Sequence, residues 1–312
     1  MRIGIDLGGT KIEGICLGDG GEARARARAA TPRTGYEPVL DALVALIAEL
    51  ERDAGATPGT ATVGVATPGF LASVDGLVRN SNLAALNGRA VDRDLAAVLG
   101  RPVRVANDAK CFILSEATDG AAAPSPGAAT AHGPDVVFGA TLGTGVGGGL
   151  VVGGAVLTGA NGSATEWSHT TLPFWRHEDG DGSGCRCGHR ACVESFLSGA
   201  GLAWDYRQHG GEDVGGPAVA ERARAGEHAA AACFARYEDR LARALAGVIN
   251  LVDPRAIVLG GGISNNARIY DNVPRLWERY TVTRGLVTRL VPAKHGDASG
   301  VRGAAWLWPA GA

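Results

Sequence analysis

Two glycine-rich turns, each with apolar residues on both sides, constrain the fold of this chain more than any other sequence feature. The first is the pair Gly8 and Gly9, between apolar residues that alternate along 3–7 and 12–17. The second turn has five glycines among the seven residues 143–149. One glycine-rich turn therefore lies near the start of each half of the 312-residue chain. Alternation on both sides of a turn predicts a β-hairpin, whereas a P-loop or a dinucleotide fingerprint needs a helix after its glycines. We therefore predict two hairpins and exclude those two motifs.

The backbone of both turns is suited to binding phosphate. Glycine inside a strand gives up side-chain packing, so the close approach of a ligand is the interpretation we favour. Backbone N–H groups at such a turn form a nest for an anion, Lys11 adds a positive charge, and Asp6 can hold Mg²⁺ through water. A third glycine cluster follows the apolar run 256–259 and fits a loop that binds adenosine. The predicted nucleotide-binding residues are Asp6, Gly8, Gly9, Thr10, Lys11, Gly143, Thr144, Gly145, Gly260, Gly261 and Gly262.

Two phosphate-facing hairpins, one in each half, are typical of the actin-like ATPase and sugar-kinase fold, which is ribonuclease H-like. This α/β fold binds its nucleotide in an active-site cleft between two domains. We predict an N-terminal α/β domain over 1–115, completed by a C-terminal helix within 298–312, and a second α/β domain over 116–297. A helix is expected at 39–51, and the low-complexity stretch 121–131 is expected to be an exposed loop.

The composition excludes several classes of function. The formal net charge is −2, with 46% hydrophobic and 20% charged residues, so the chain lacks the basic excess of a general nucleic-acid or membrane-surface binder. No apolar run approaches the ~20 residues that span a bilayer, and the N-terminal residues lack a signal-peptide cleavage site. We expect a cytoplasmic protein with reduced thiols, in which Cys16, Cys111 and Cys233 are core residues.

Three cysteines within eight residues indicate a metal site. Cys185, Cys187 and Cys192 can occupy three corners of a tetrahedron around zinc, and an imidazole can supply the fourth. His189 lies inside the cysteine cluster and would strain it, and His177 lies in a charged, glycine-rich run. His169 is distant enough to close a loop and is the predicted fourth ligand. No position is left for a catalytic water, so the zinc is expected to be structural.

A candidate for the chemistry follows the predicted strand 103–106. Asn107 and Asp108 stand where this strand ends and a helical run begins. An aspartate in that position could accept the proton of an attacking hydroxyl, as in kinases generally. The pair could equally be a helix cap, and spacing alone does not decide between the two interpretations.

Together these motifs resemble the ROK family of sugar kinases and repressors, over residues 4–305. The resemblance rests on Asp6-x-Gly8-Gly9-Thr10-Lys11, Pro68-Gly69, Asn107-Asp108-Ala109, Leu142-Gly143-Thr144-Gly145-x-Gly147-Gly148-Gly149, and the pattern Cys-x-Cys-Gly-x-x-x-Cys-x-Glu from Cys185 to Glu194. Within the family the chain is most similar to bacterial fructokinases (mannofructokinases), and next to N-acetylglucosamine kinases.

The resemblance implies an ATP- and Mg²⁺-dependent kinase that phosphorylates the 6-hydroxyl of a hexose, carries a structural zinc ion and forms a homodimer. Asp108 would be the general base. The other sugar hydroxyls would be held by Asn107, Glu166, His169 and Glu194, with backbone at Gly69 and the loop at Asn82. His169 would bind zinc with one ring nitrogen and a sugar oxygen with the other.

The chain departs from the family pattern at four positions. Family members usually have glycine in place of Thr165, Ser168 and Ala191, and asparagine in place of Lys110. An amino sugar such as N-acetylglucosamine, N-acetylmannosamine or kanosamine is therefore an alternative to fructose. A sugar-sensing repressor is disfavoured, because such proteins carry a helix-turn-helix before the first hairpin and here the first strand begins at about residue 2.

Overall fold

The computed structural model describes residues 1–124 and 135–309. The chain divides into two compact units, the first formed by Met1–Ala128, Gly149–Ala164 and Asp297–Ala312, and the second by Ala129–Gly148 and Thr165–Gly296. Most of the loop expected at 121–131 lies outside the described residues, and the domain boundaries drawn from the sequence stay a prediction. No helix within the described ranges is long and apolar enough to cross a membrane.

The described residues form a mixture of strands and helices. The strands are β1 (Arg2–Leu7), β2 (Lys11–Leu17), β3 (Ala23–Ala30), β4 (Thr62–Thr67), β5 (Phe70–Leu71), β6 (Val78–Arg79), β7 (Val103–Asn107), β8 (Val136–Leu142), β9 (Val146–Val152), β10 (Ala155–Val156), β11 (Ala256–Gly260) and β12 (Arg289–Pro292). The helices are α1 (Tyr36–Asp53), α2 (Val91–Leu99), α3 (Asp108–Thr118), α4 (Val193–Leu197), α5 (Gly199–Gln208), α6 (Gly216–Arg224), α7 (His228–Val252), α8 (Arg268–Trp277) and α9 (Ser299–Ala305).

The first sheet has the order β3-β2-β1-β4-β7. Strands β1 and β2 pair antiparallel, with Asp6 opposite Glu13, which confirms the first predicted hairpin. Strands β1, β4 and β7 are parallel, with Asp6 beside Ala66 and Thr67 beside Asn107. Because the carboxyl ends of parallel strands meet at one edge, Asp6, Asn107 and the residues that follow β4 lie at the same edge of this sheet.

Two helices cover the first sheet. Helix α1 contains the predicted segment 39–51 and buries an apolar face that recurs every three or four residues. Helix α9 packs against β1, β4 and α3. Close packing requires glycine in the strands, because a Cβ at Gly4 would lie 2.0 Å from the Val301 carbonyl oxygen, and one at Gly64 would lie 1.9 Å from that of Ala304.

The second sheet, with the order β10-β9-β8-β11-β12, repeats the plan of the first. Strands β8 and β9 are neighbours joined by residues 143–145, which confirms the second predicted hairpin. Strand β11 is fully buried and parallel to both β8 and β12. The glycine clusters that follow β8 and β11 therefore lie at the same edge of the second sheet.

A buried network of charges on α7 was not predicted. Arg243 is 2% exposed and its Nη1 donates to Asp179 Oδ2 at 2.6 Å, while the Arg240 Nη1 donates to Asp205 Oδ1 at 2.7 Å. Burial alone would raise the pKa of Asp179, but the hydrogen bond from Arg243 and further donors outweigh it and lower the pKa to about 2. Arg243 also donates to the Phe174 carbonyl oxygen at 3.0 Å. Helix α7 thus holds the run 172–180 through Phe174 and Asp179.

Candidate active site

The end of β7 carries the candidate base. Asn107 is the N-cap of α3, because its Oδ1 accepts hydrogen bonds from the backbone N–H groups of Ala109 and Lys110 at 3.0 and 3.4 Å. The capping interpretation is therefore correct for Asn107. Asp108 is the first residue of α3, and its side chain is exposed, with Oδ1 accepting from the Ala109 N–H at 2.7 Å.

Two carboxylates at this edge of the first sheet have raised pKa values. Although solvent reaches the Asp108 side chain, the protein around it displaces much of its bulk water and raises its pKa, against the lowering effect of the Ala109 N–H. The pKa of Asp6 rises to about 6, first through desolvation and then through repulsion by Asp108 and Glu13. Both groups thus favour a proton or a cation more than an ordinary aspartate does.

The structure joins Asn107 to the turn that follows β4. Asn107 Nδ2 donates to the Gly69 carbonyl oxygen at 2.9 Å. Gly69 has a φ of 84° in the left-handed region, and a Cβ there would lie 2.3 Å from the Arg79 carbonyl oxygen, so only glycine fits. Asn82 is exposed in the next bend, where Asn87 exchanges hydrogen bonds with Ser81 and fixes the loop. Asn107, Asp108 and Gly69 therefore form one group on the first unit, with Asn82 in a neighbouring fixed loop.

The first glycine turn closes on itself. The Gly8 N–H donates to the Lys11 carbonyl oxygen at 3.0 Å, and Thr31 Oγ1 donates to the Gly8 carbonyl oxygen at 2.7 Å. A Cβ at Gly9 would meet no atom within 4 Å, so the tip of the turn is open to a ligand. Lys11 Nζ lies 3.3 Å from Glu13 Oε2 and is 58% exposed, which leaves the ammonium group accessible.

The second turn borders a cavity of about 560 Å³ within the second unit. Gly143, Thr144 and Gly262 line this cavity, so two of the predicted glycine clusters meet there. Helix α6 also lines the cavity, through Pro217 and Ala220, and these residues were missed because no phosphate-type motif marks them. The small apolar residues suit a flat aromatic base, and the glycine turn at one end suits phosphate.

Three of the four predicted zinc ligands, His169, Cys185 and Cys187, offer ligand atoms that all lie within 4.8 Å of one another. His169 Nδ1 is 3.2 Å from Cys185 Sγ, and Cys187 Sγ is 3.3 Å from Cys185 Sγ and 3.5 Å from Cys192 Sγ. Tetrahedral Zn–S bonds of about 2.3 Å would hold sulfur atoms about 3.8 Å apart, which requires only small shifts. Cys192 lies outside the compact group, 3.5 Å from Cys187 Sγ, and would have to move closer to the other ligands for tetrahedral binding. Three thiols and one imidazole nitrogen are nevertheless a donor set that suits zinc.

Three predicted sugar-binding side chains surround this cluster. His169 directs Nδ1 to Cys185 and places Nε2 3.8 Å from Glu166 Oε2. Glu194 Oε2 accepts from the Val146 N–H at 3.4 Å, next to the second turn, and its Oε1 is 3.8 Å from Cys185 Sγ. The structure thus brings Glu166, His169 and Glu194 together within the second unit.

The residues at which the chain departs from the family pattern make contacts inside the protein. Lys110 is 3% exposed, and its Nζ donates to the Gly162 carbonyl oxygen at 2.8 Å. Thr165 Oγ1 donates to the Gly148 carbonyl oxygen at 3.0 Å, and Ser168 is 2% exposed. Ala191 has a φ of 53°, in the left-handed region where glycine is the usual residue.

The chain matches a known protein family over nearly its whole length. The ROK family pattern matches residues 2–310. An N-acetyl-D-glucosamine kinase of Photobacterium profundum is 38% identical over 98% of this chain and 99% of its own length, and one of Escherichia coli is 37% identical over the same shares. These relatives belong to the group that the sequence placed second, after the fructokinases.

Solved structures show the same fold. A ROK hexokinase from Thermus thermophilus has a TM-score of 0.83 and 29% identity, covering 98% of this chain and 97% of its own. A ROK glucokinase from Streptomyces griseus, in complex with glucose and AMPPNP, has a TM-score of 0.72 and 26% identity, covering 97% of each chain. The predicted actin-like sugar-kinase fold is confirmed, and the chain belongs to the ROK family.

Proposed function

We propose that this protein is an ATP-dependent kinase that phosphorylates the 6-hydroxyl of a hexose, with N-acetyl-D-glucosamine as the first candidate substrate. The observation that carries the proposal is the Asp108 carboxylate, which is exposed at the end of β7 and has a raised pKa. A raised pKa brings a carboxylate closer to the basicity that suits proton removal near neutral pH.

Asp108 takes the proton of the attacking sugar hydroxyl, and its orientation is set by the helix that begins at this residue. The hydrogen bond from the Ala109 N–H occupies Oδ1, so Oδ2 is the oxygen that can accept the proton. Asn107 fixes the Gly69 turn through Nδ2 and thereby shapes the surface on which the sugar lies. Phosphoryl transfer gains its rate mainly from such positioning and from electrostatic stabilisation.

ATP occupies the 560 Å³ cavity with its base against α6 and its phosphates toward Gly143 and Thr144. The N–H groups of the turn at Gly8 and Gly9 and the charge of Lys11 are likewise suited to phosphate. Asp6 is suited to hold Mg²⁺ through water, because burial, and then the negative charges of Asp108 and Glu13, raise its pKa, and a cation would compensate that charge. When bound, Mg²⁺ neutralises charge on the phosphates.

The zinc site has a structural role in this proposal. His169, Cys185, Cys187 and Cys192 supply four donors, so no open coordination position remains. His169 would hold the metal through Nδ1, which would leave Nε2–H as a donor for a sugar oxygen, beside Glu166. Binding through one nitrogen fixes the tautomer and the orientation of the ring.

An amino sugar is favoured over fructose as the substrate, because the relatives reported above are named N-acetyl-D-glucosamine kinases. A coupled assay of ADP release with N-acetylglucosamine, N-acetylmannosamine, glucose, mannose, fructose and kanosamine tests this choice. We expect the highest kcat/KM for N-acetylglucosamine. A higher value for fructose would restore the fructokinase interpretation, and turnover of none of these sugars would contradict the proposed function. The homodimer and the cytoplasmic location stay predictions.

A further inference from the structure

Thr165 has an unusual backbone conformation directly before Glu166. Its φ is 69°, in the left-handed region. A β-branched side chain is rarely found there, because its Cβ substituents crowd the following peptide. Such conformations persist only where the surroundings hold them, and they concentrate at functional sites.

Two side chains hold this segment to strand β9. Thr165 Oγ1 donates to the Gly148 carbonyl oxygen at 3.0 Å, and Trp167 Nε1 donates to the Gly147 carbonyl oxygen at 2.9 Å. These are successive carbonyl groups of one strand, and the two donors flank Glu166 in the sequence. We call these two hydrogen bonds the β9 anchor.

Packing around Trp167 makes the β9 anchor rigid. Its ring is 8% exposed and meets the ring of Phe138 edge to face at 5.4 Å. A Cβ at Gly148 would lie 2.3 Å from Trp167 Cδ1, so the indole can lie on β9 only because that position is glycine. Gly148 therefore serves the protein's own tryptophan, and the sequence interpretation that ligand approach explains this glycine is corrected.

We propose that Thr165 is a positioning residue for sugar recognition, acting through the backbone of Glu166. This inference rests on the proposed function, in which Glu166 binds the sugar. The bond from Thr165 Oγ1 to Gly148 compensates for the unfavourable φ, so the peptide that enters Glu166 keeps its direction. That direction places Glu166 Oε2 3.8 Å from His169 Nε2, where both groups can face one sugar.

The proposal predicts that variants of Thr165 differ in sugar affinity in a particular order. A direct contact between Thr165 and the sugar would predict a different order. Thr165→Val keeps the β-branch and loses the donor, so the left-handed backbone loses the bond from Oγ1 to Gly148 that compensates for its strain. Thr165→Gly loses the donor but adopts the left-handed φ without strain. Thr165→Ser keeps the donor. If the hydroxyl instead touched the sugar, the Val and Gly variants would lose equal affinity.

The experiment measures KM for the sugar and for ATP in each variant, with the best substrate of the wild-type protein. We expect Thr165→Val to raise the sugar KM by about tenfold or more, and Thr165→Gly and Thr165→Ser to stay within about threefold of the wild type. The KM for ATP should change less than about twofold in all three variants. Thr288→Val is the matched control, because Thr288 Oγ1 donates to the Pro254 carbonyl oxygen at 2.8 Å in a buried position away from Glu166. It should lower the melting temperature and leave the sugar KM unchanged.

Equal losses for Thr165→Val and Thr165→Gly would overturn the positioning role in favour of direct contact. An unchanged sugar KM in folded Thr165→Val, or a sugar KM raised equally in Thr288→Val, would overturn it outright. If Thr165→Val does not fold, Thr165→Gly tests the proposal instead. A sugar KM raised tenfold or more in Thr165→Gly would contradict it. Glu166→Gln distinguishes failure of the proposed function from failure of this inference. If the sugar KM of Glu166→Gln is unchanged, the proposed role of Glu166 fails. If the sugar KM rises in Glu166→Gln but not in Thr165→Val, only the role of Thr165 fails.

Discussion

His169 Nε2 lies 3.8 Å from Glu166 Oε2 while the other ring nitrogen of His169 lies 3.2 Å from Cys185 Sγ. A single imidazole therefore connects the thiol cluster with a carboxylate proposed to bind the sugar. If zinc fixes this ring, loss of the metal should weaken sugar binding strongly and nucleotide binding only slightly.

We expect one zinc ion per chain, and its loss in Cys192→Ser. Because His169 then loses its fixed orientation, the sugar KM should rise by about 10- to 100-fold, with a smaller change for ATP. Elemental analysis of protein purified without chelator measures the metal. Cys233→Ala removes a buried thiol on α7 and should retain the zinc. Absence of zinc from the wild-type protein, or its retention in Cys192→Ser, would contradict the assignment.

The nucleotide cavity can be tested by filling it. Ala220 lines the cavity from α6, whereas Ala218 on the same helix is exposed. Ala220→Trp should raise the KM for ATP by about tenfold or more and leave sugar affinity unchanged, because the indole would occupy the space of the base. Ala218→Trp is the control for helix stability and should behave as the wild type. Unchanged ATP kinetics in Ala220→Trp would place the nucleotide elsewhere.

The buried charges on α7 predict a pH dependence of stability. The pKa of Asp179 is lowered to about 2 from an ordinary value of 3.8, so its stabilising contribution is complete above about pH 4 and is lost as the pH falls toward 2. This contribution amounts to about 2 kcal/mol. Asp179→Asn cannot titrate and removes the carboxylate that Arg240 and Arg243 share, although Arg240 keeps Asp205 and Arg243 keeps Asp239, so the variant should be less stable by about 2 kcal/mol at pH 7.

Denaturant unfolding at several pH values measures this effect. The stability difference between the wild type and Asp179→Asn should shrink as the pH falls from 4 to 2. Asp213, on the surface, pairs with Arg207 while 81% exposed, and Asp213→Asn should change stability by less than about 1 kcal/mol at any of these values. A difference for Asp179→Asn that is constant over the whole range would show that the carboxylate does not titrate as described.

Local patterns were sufficient to predict the elements around the site. Alternating apolar residues predicted both hairpins, and the buried strand before Gly260 follows from its short apolar run. The spacing of three cysteines predicted a cluster that the structure brings together. Each of these features depends on residues that are close in sequence, where periodicity and turn chemistry act directly.

Features that depend on distant partners were not predictable. Asp179 binds Arg243, 64 residues further along, so the charged run 176–184 carries no local sign that α7 holds it. The glycine at 148 faces Trp167, a contact that exists only once β9 and the following loop are folded. Glycine content alone cannot tell a position that a ligand approaches from one that a side chain fills.

The most direct test of the account is the turnover of Asp108→Asn, measured beside its affinity for the sugar. The amide keeps the shape of the side chain but cannot accept the proton of the hydroxyl. We predict a loss in kcat of about 10²- to 10⁴-fold, with a sugar dissociation constant by calorimetry within about fivefold of the wild-type value. Turnover by Asp108→Asn within tenfold of the wild type would contradict the assignment of Asp108 as the base.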